Sequence, residues 1–328
     1  MRRRDFIAFL GGAVVWPLAA RAQQSSSIRR IAWMGIGRPD TPSLYVESLR
    51  AGLRDLGWVE GRNLTIDLYW AQRDDMDAVA RDLVASKPEI IVTQELMVFA
   101  VNRLKPPIPI VFGFSGDPVD AKLVQSIANP GGNLTGMSYL ALELVGKRIE
   151  LLKEWLPQIR RVAILARPQH PGEQREREAS EEVVRKLGIE LSYHPIPFVP
   201  RTDLPRLHKI LSEAVENRCD ALIVFPDAGM FDVSDHIASF ALQAKLPSVS
   251  GWAPFARNGL LLSYGPNLRE LYRSLSSYVD RILRGTQPAN LPVELPTKIE
   301  LVINAKTATA IGVVVPPMLL ARADEVIE

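Results

Sequence analysis

The stretch Gly113-Phe114-Ser115-Gly116-Asp117 comes within one residue of a nucleophile elbow, G-x-S-x-G. The last glycine of an elbow permits tight packing, and Asp117 takes that place. A serine hydrolase using Ser115 is therefore only a lesser alternative. The histidines His170, His194, His208 and His236 fall at no metal-ligand spacing, and no cysteine cluster accompanies them. His208 lies in a helical pattern and is expected to be half-exposed. His170 follows a strand in the second half and, as a loop histidine, is expected to be solvated. The single thiol, Cys219, precedes the apolar run ALIVF and reads as core. The phosphate loop G-x-x-x-x-G-K-[ST] is absent, and GIGRPD after the first strand does not complete G-x-G-x-x-G. No carboxylates form an evident acid–base pair. This inventory points to binding rather than turnover, with no cofactor and no metal.

The elements that must position a binding site form a repeat. IRRIAWM starts at Ile28 and IRRVAIL at Ile159, and each lies 28 residues before a Leu-Gly pair, Leu56-Gly57 and Leu187-Gly188. Each pair ends an amphipathic stretch, as glycine at a helix C-terminus should. Each half continues with a second strand (NLTIDLYW; ELSYHPI), a second helix (DAVARDLVAS; LHKILSEAVE) and a third strand (EIIVT; ALIVF). A fourth strand follows, IPIVFG at 108–113 and LPSVSG at 246–251. Alternating strands and helices imply parallel sheets with right-handed crossovers. Unbroken apolar strands suit sheets covered on both faces. The fold class is thus α/β, with two Rossmann-like lobes joined by a hinge. NPGGNLTGMSY (129–139) and GLLLSYGPN lie outside both repeats in this reading. The tail PVELPTKIELVIN is expected to return toward the first lobe.

Open parallel sheets bind ligands beyond the carboxyl ends of their strands. That rule selects GIGRPD, TQE and GFSGDP in lobe one, and ARPQHPG, FPDAGM and SGWAPF in lobe two. The candidate ligand-binding residues are Gly35, Thr93, Gln94, Ser115, Asp117, Tyr139, Arg167, Asp227, Trp252 and Tyr264. Gly35 permits close backbone approach. Thr93, Gln94 and Ser115 offer short polar contacts. Amides around Ser115-Gly116, ahead of a predicted helix VDAKLVQSIA, would hold a carboxylate, and Asp117 caps that helix as readily as it meets a ligand. Asp227 would pair with an ammonium and Arg167 with a carboxylate. Trp252 supplies an apolar wall. Tyr139 and Tyr264 lie near the expected lobe crossings, where hinge packing is an equal role. Trp33, Trp58, Trp70 and Trp155 are assigned to packing.

The amino terminus supplies an address. Arg2, Arg3 and Arg4 precede an apolar run of 15 residues, 6–20, interrupted by Gly11, Gly12 and Pro17 and closed by Ala20-Arg21-Ala22. A membrane span needs about 20 apolar residues, so residues 1–22 read as a cleaved export signal cut after Ala22. Arg3-Arg4 before Asp5-Phe6-Ile7 resembles the twin-arginine pattern. The chain has 39 Lys+Arg and 37 Asp+Glu, and removing the signal's four arginines and one aspartate leaves 35 and 36. A near-neutral mature chain gives no reason to expect nucleic acid. The expected layout is lobe one at 28–138, completed by part of 266–328, lobe two at 139–265, and a crossover helix with a C-terminal return segment over 266–328.

Several longer segments then converge. LRAGLRDLGWVEGRNLTIDLYWA, IPIVFGFSGDPV, NPGGNLTG, LLKEWLP, GLLLSYGPNLRELYRSLSSYVDRILRG and PTKIELVINAKTATAIG are similar to ABC-transporter substrate-binding proteins of the tryptophan/tyrosine type. The resemblance covers essentially the whole mature chain. It implies a type I periplasmic-binding-protein fold, a periplasmic location, and service to an inner-membrane ABC permease and its ATPase. With the two-lobe hinge read above, this points to capture of a small polar or amino-acid-like ligand by hinge closure, and a monomer is the default expectation. The family's cleft loops correspond here to GIGRPD, TQEL, SGDP, MSY, ARPQ, FPDAG and SGWAP. Where members often carry small residues after the third strand, this chain has the bulkier, more polar Gln94 and Glu95, so the aromatic preference of the best understood relatives does not simply transfer. An exported binding protein serving a sensor is the alternative, and a purely structural envelope protein fits a cleft-forming duplication poorly.

Overall fold

The computed structural model describes residues 28–37, 43–197, 199 and 203–328. The expected export signal lies outside them. Two sheets form the frame. The first contains β1 (Arg29–Ile36), β2 (Leu64–Ala71), β3 (Ile90–Gln94), β4 (Ile110–Phe114) and β5 (Leu134–Ser138), ordered β2-β1-β3-β4-β5 with every pair parallel. The second begins with β6 (Arg161–Ala166), β7 (Glu190–Pro195), β8 (Ala221–Val224), β9 (Ser248–Ser250) and β10 (Leu262–Pro266). Its order β7-β6-β8-β9-β10 repeats the first sheet, again all parallel. Then β11 (Ile299–Asn304) adds antiparallel to β10, and β12 (Glu325–Ile327) adds parallel to β11. The duplication thus runs one strand further than the four-strand repeat read from sequence. The segments set aside as connectors supply β5 and β10.

Local sequence explains the elements. β3 (IIVTQ), β4 (IVFGF) and β8 (ALIV) are buried at every position, as strands covered on both faces must be. The first helix, α1 (Leu44–Asp55), starts at Ser43, whose hydroxyl accepts from the Val46 amide. It ends at Leu56 with Gly57 at φ 88°. The equivalent helix of the second lobe ends the same way, at Leu187 with Gly188 at φ 65°. Both glycines occupy the left-handed C-terminal position. Helices α2 (Met76–Ala85) and α3 (Leu96–Arg103) complete lobe one. Helices α4 (Ala141–Trp155), α5 (Glu173–Lys186), α6 (Leu204–Glu216), α7 (Ala228–Asp232), α8 (Ser234–Gln243) and α9 (Ala253–Arg257) follow in lobe two. Cys219 is buried, and His208 is exposed. Among the described residues, no helix is long and apolar enough to cross a membrane.

The predicted helix VDAKLVQSIA does not form. The Asp117 carboxylate accepts from the Val119 and Asp120 amides. Leu123 and Val124 turn their amides back to the Pro118 carbonyl, and Lys122 takes φ 57°. The segment makes one turn, closes on itself and buries Leu123 and Val124. The anion site expected from a helix start at Ser115-Gly116 therefore has no helix behind it.

The chain passes between lobes three times. It leaves β5 for α4, leaves β10 for α10 (Leu268–Leu283), and returns from Glu294 to β11. Helix α10 packs against α1 of lobe one, and Trp58 Nε1 donates to Asp280 on it at 2.8 Å. The tail then does two things where the sequence suggested one. Leu291–Glu294 rests against β5, while β11 and β12 extend the second sheet. The third crossing is bonded to both others: the Ser138 amide donates to the Glu294 carbonyl, and the Asn267 amide donates to the Lys298 carbonyl.

Candidate functional site between the lobes

The strand ends of both sheets face one another across the crossings, and the space between them has two parts. The first is an aromatic chamber whose walls leave a cavity of only about 10 Å³, room for about one water. Tyr45 comes from α1, Tyr139 from the first crossing, Trp252 from the end of β9, and Tyr272 from α10. Tyr45 and Tyr272 lie with ring centroids 4.5 Å apart, and Tyr139 meets Trp252 edge-on at 6.3 Å. The phenols form a directed chain. Tyr272 gives its one proton to Gln94 Oε1, so the Tyr139 hydroxyl must donate to Tyr272. Burial, reinforced by neighbouring phenols and Glu95, pushes the Tyr139 and Tyr272 hydroxyls well above their ordinary range.

The second part is a buried polar junction. Ser115, from the end of β4, bonds to Glu95 Oε2 and to His170 Nε2, both at 2.7 Å. His170 belongs to lobe two, so this bond crosses the cleft. Its Nδ1 lies 3.8 Å from Glu176 Oε1, too far for a hydrogen bond. Burial pushes the carboxyls of Glu95 and Glu176 up to about 8 and pushes His170 down. Arg148 reaches the same layer from α4, donating from Nε to the Tyr264 carbonyl at 2.8 Å. Burial lowers its guanidinium to about 10.

Glu95 is held against its backbone preference. It sits at φ 47°, ψ −128°, a region that costs a residue with a side chain about 1–3 kcal/mol. Its amide donates to the Gly113 carbonyl at 3.1 Å while its side chain takes the Ser115 bond. Its other oxygen, Oε1, is buried with no hydrogen-bond partner. Strain of this kind concentrates at functional sites.

Lobe two contributes an ion pair. Arg167 Nη1 donates to Asp227 Oδ1 at 2.7 Å, with side chains 6% and 8% exposed. The same oxygen accepts from the Gly229 and Met230 amides at 2.8 and 3.1 Å, capping α7. The separate ligand partners expected of Arg167 and Asp227 are here satisfied by each other.

The ten sequence candidates divide accordingly. Gln94, Tyr139 and Trp252 line the chamber. Ser115 joins the polar junction, and Arg167 with Asp227 forms the neighbouring ion pair. Thr93 is buried in β3 and spends its hydroxyl on the Met34 carbonyl at 3.0 Å. Gly35 lies beside the Trp33 indole. Asp117 holds its own exposed turn, and the Tyr264 ring packs on the second core. Sequence reasoning placed Glu95 in a cleft loop without making it a candidate, missed Tyr45 and Tyr272, and expected His170 in solvent, whereas it is 5% exposed. His170 shares a loop with Arg167, and Glu95 follows Gln94, so both carried a positional signal. The two tyrosines project from helices and carried none.

Two like-built parallel lobes, tied by three crossings around an interlobe chamber, are the type I periplasmic-binding-protein fold. Within that class the match is particular. The family model described as ABC transporter substrate binding protein matches residues 39–327, and this chain belongs to that family. A tyrosine-binding protein of Clostridioides difficile is 25% identical over 264 residues, covering 79% of this chain and 74% of that protein. A solved conserved domain protein of Vibrio cholerae is 27% identical with a TM-score of 0.83, covering 92% of this chain and all of that one. An ABC domain of Streptococcus pneumoniae, solved in complex with L-Trp, shares the fold at 21% identity and a TM-score of 0.81, again covering 92% and 100%.

Proposed function

We propose that this chain is the solute-binding component of an ABC import system. It acts outside the cytoplasm after removal of the segment ending at Ala22. It captures a small polar or amino-acid-like solute between its lobes, which close on it and present a joint surface to an inner-membrane permease driven by its ATPase. The supporting observation is the chamber itself, bounded by both lobes and flanked by the Ser115–His170 bond that joins them. A ligand touching both walls favours closure by its differential contacts with the closed form.

The junction also favours binding over hydrolysis. His170 Nδ1 lies 3.8 Å from Glu176 Oε1 and makes no hydrogen bond. A catalytic serine–histidine pair needs Nε2 as acceptor and Nδ1 protonated toward an acid. The test is a thermal-shift screen of the mature protein against amino acids, amines and small carboxylates, with hits followed by small-angle scattering. A hit that raises Tm and contracts the particle is expected. Hits that stabilise without contraction would refute closure, and release of mature protein into the cytoplasm would refute export.

A further inference from the structure

The polar and aromatic groups around the chamber have a definite preference. Four of the described lining residues, Tyr45, Tyr139, Trp252 and Tyr272, are aromatic. Glu95 adds a carboxylate whose Oε1 is buried without a partner. Among the described residues, the lining contains no Lys, Arg or His. Ring faces carry negative electrostatic potential and attract cations, and aromatic cages of this kind recognise ammonium groups. A zwitterionic amino acid would also need a donor set for its carboxylate. Nearby Arg167 is already engaged by Asp227 within its own lobe, and the Tyr139 and Tyr272 protons run to Tyr272 and Gln94, which leaves the Tyr45 hydroxyl as the only phenol among the described lining residues not bonded to another of them.

We propose that the chamber receives the cationic head of an alkylammonium or quaternary-ammonium solute, with the four rings as its walls and Glu95 as its counter-ion. This rests on the solute-binding reading above and names the ligand class of that site. The chamber leaves about 10 Å³ between its walls, so the rings must part with the lobes to admit the head, and any longer substituent is directed elsewhere in the cleft. Glu95 fits the role on geometry: a strained backbone holds a buried carboxylate at the chamber wall with one oxygen unmatched. Its carboxyl is pushed up to about 8 by burial, as expected of an acid that lacks a positive neighbour.

Calorimetry on the mature protein at about pH 9, where Glu95 is mostly ionised, tests this. The probes are choline, tetramethylammonium, 3,3-dimethylbutan-1-ol (the uncharged carbon analogue of choline), L-tyrosine and L-tryptophan. Choline or tetramethylammonium is expected to bind, with the uncharged analogue at least about tenfold weaker. Glu95→Gln, which keeps side-chain shape, is expected to remove most of that discrimination. Trp252→Phe is expected to retain more affinity than Trp252→Ala. Equal binding of choline and its uncharged analogue would overturn the proposal. So would binding of L-tyrosine or L-tryptophan alone, which would leave the solute-binding reading standing. Absence of binding by all five probes overturns the cationic head as well, while the wider screen and scattering still decide the broader function. Should Glu95→Gln fail to fold, the comparison of choline with its analogue on the unmodified protein decides alone.

Discussion

In each lobe an acid stands at the start of the helix that follows the third strand, and the two acids are in opposite condition. In lobe two, Asp227 has an extended backbone at φ −148°, ψ 148°. It accepts from Arg167 and from two amides of its own loop. In lobe one, Glu95 sits in a strained conformation, gives one oxygen to Ser115 and leaves the other unmatched. The scaffold is duplicated but the chemistry is not. A satisfied carboxylate holds its lobe together, whereas an unsatisfied one is available to a ligand. Symmetry of fold therefore identifies where to look, and its failure at matched positions identifies what to look at.

The largest expected effect tests the satisfied side. Asp227→Ala strips a buried arginine of its carboxylate and should cost about 3–5 kcal/mol in urea unfolding. A loss below about 1 kcal/mol would mean that the ion pair is not structural. The next tests the unsatisfied side through pH. The Glu95 and Glu176 carboxyls lie at about 8 in the folded chain against an ordinary 4.5. Between those values the folded state binds more protons than the unfolded one, so stability falls as pH rises. Unfolding free energy of the ligand-free protein should decline across that window, and Glu95→Gln should flatten part of the decline, leaving the Glu176 share. A slope unchanged in Glu95→Gln would remove Glu95 as an unsatisfied acid.

A smaller effect is expected at the junction joining the two sides. Ser115→Ala removes a buried bond to His170 worth about 1 kcal/mol, and interlobe fluorescence transfer should show more of the open form. An unchanged distribution would show that the bond does not favour closure. The smallest effect belongs to Asp120 and Arg175, which form an exposed 2.8 Å ion pair across the lobes. Arg175→Ala should change closure by under about 1 kcal/mol, and only at low salt. A larger, salt-independent change would show that the rim is more than a solvated contact.

The sequence carried the frame clearly. Leu56-Gly57 and Leu187-Gly188 marked equivalent helix ends, and the strand-end rule led to Gln94, Ser115, Arg167, Asp227 and Trp252. β5 and β10 were harder to read because LTGMS and LSYGP interrupt their apolar runs with glycine or proline. The turn at Asp117 resembled a helix because apolar spacing registers burial before it registers Pro118 or the left-handed Lys122. Tyr45 and Tyr272 were invisible for a different reason. On an amphipathic helix, a ring facing a chamber and a ring facing the core have the same spacing. The partnerships of Arg167 and Glu95 depended on distances that no single chain order prescribes.

The lacing of the third crossing to the other two has a mechanical consequence. Bonds from Ser138 to Glu294 and from Asn267 to Lys298 make the connection a narrow ribbon rather than three loose cords. A bonded ribbon bends more easily out of its plane than within it. Any rocking of the lobes would therefore favour the swing that bends the ribbon flatwise over sideways shear of one half past the other.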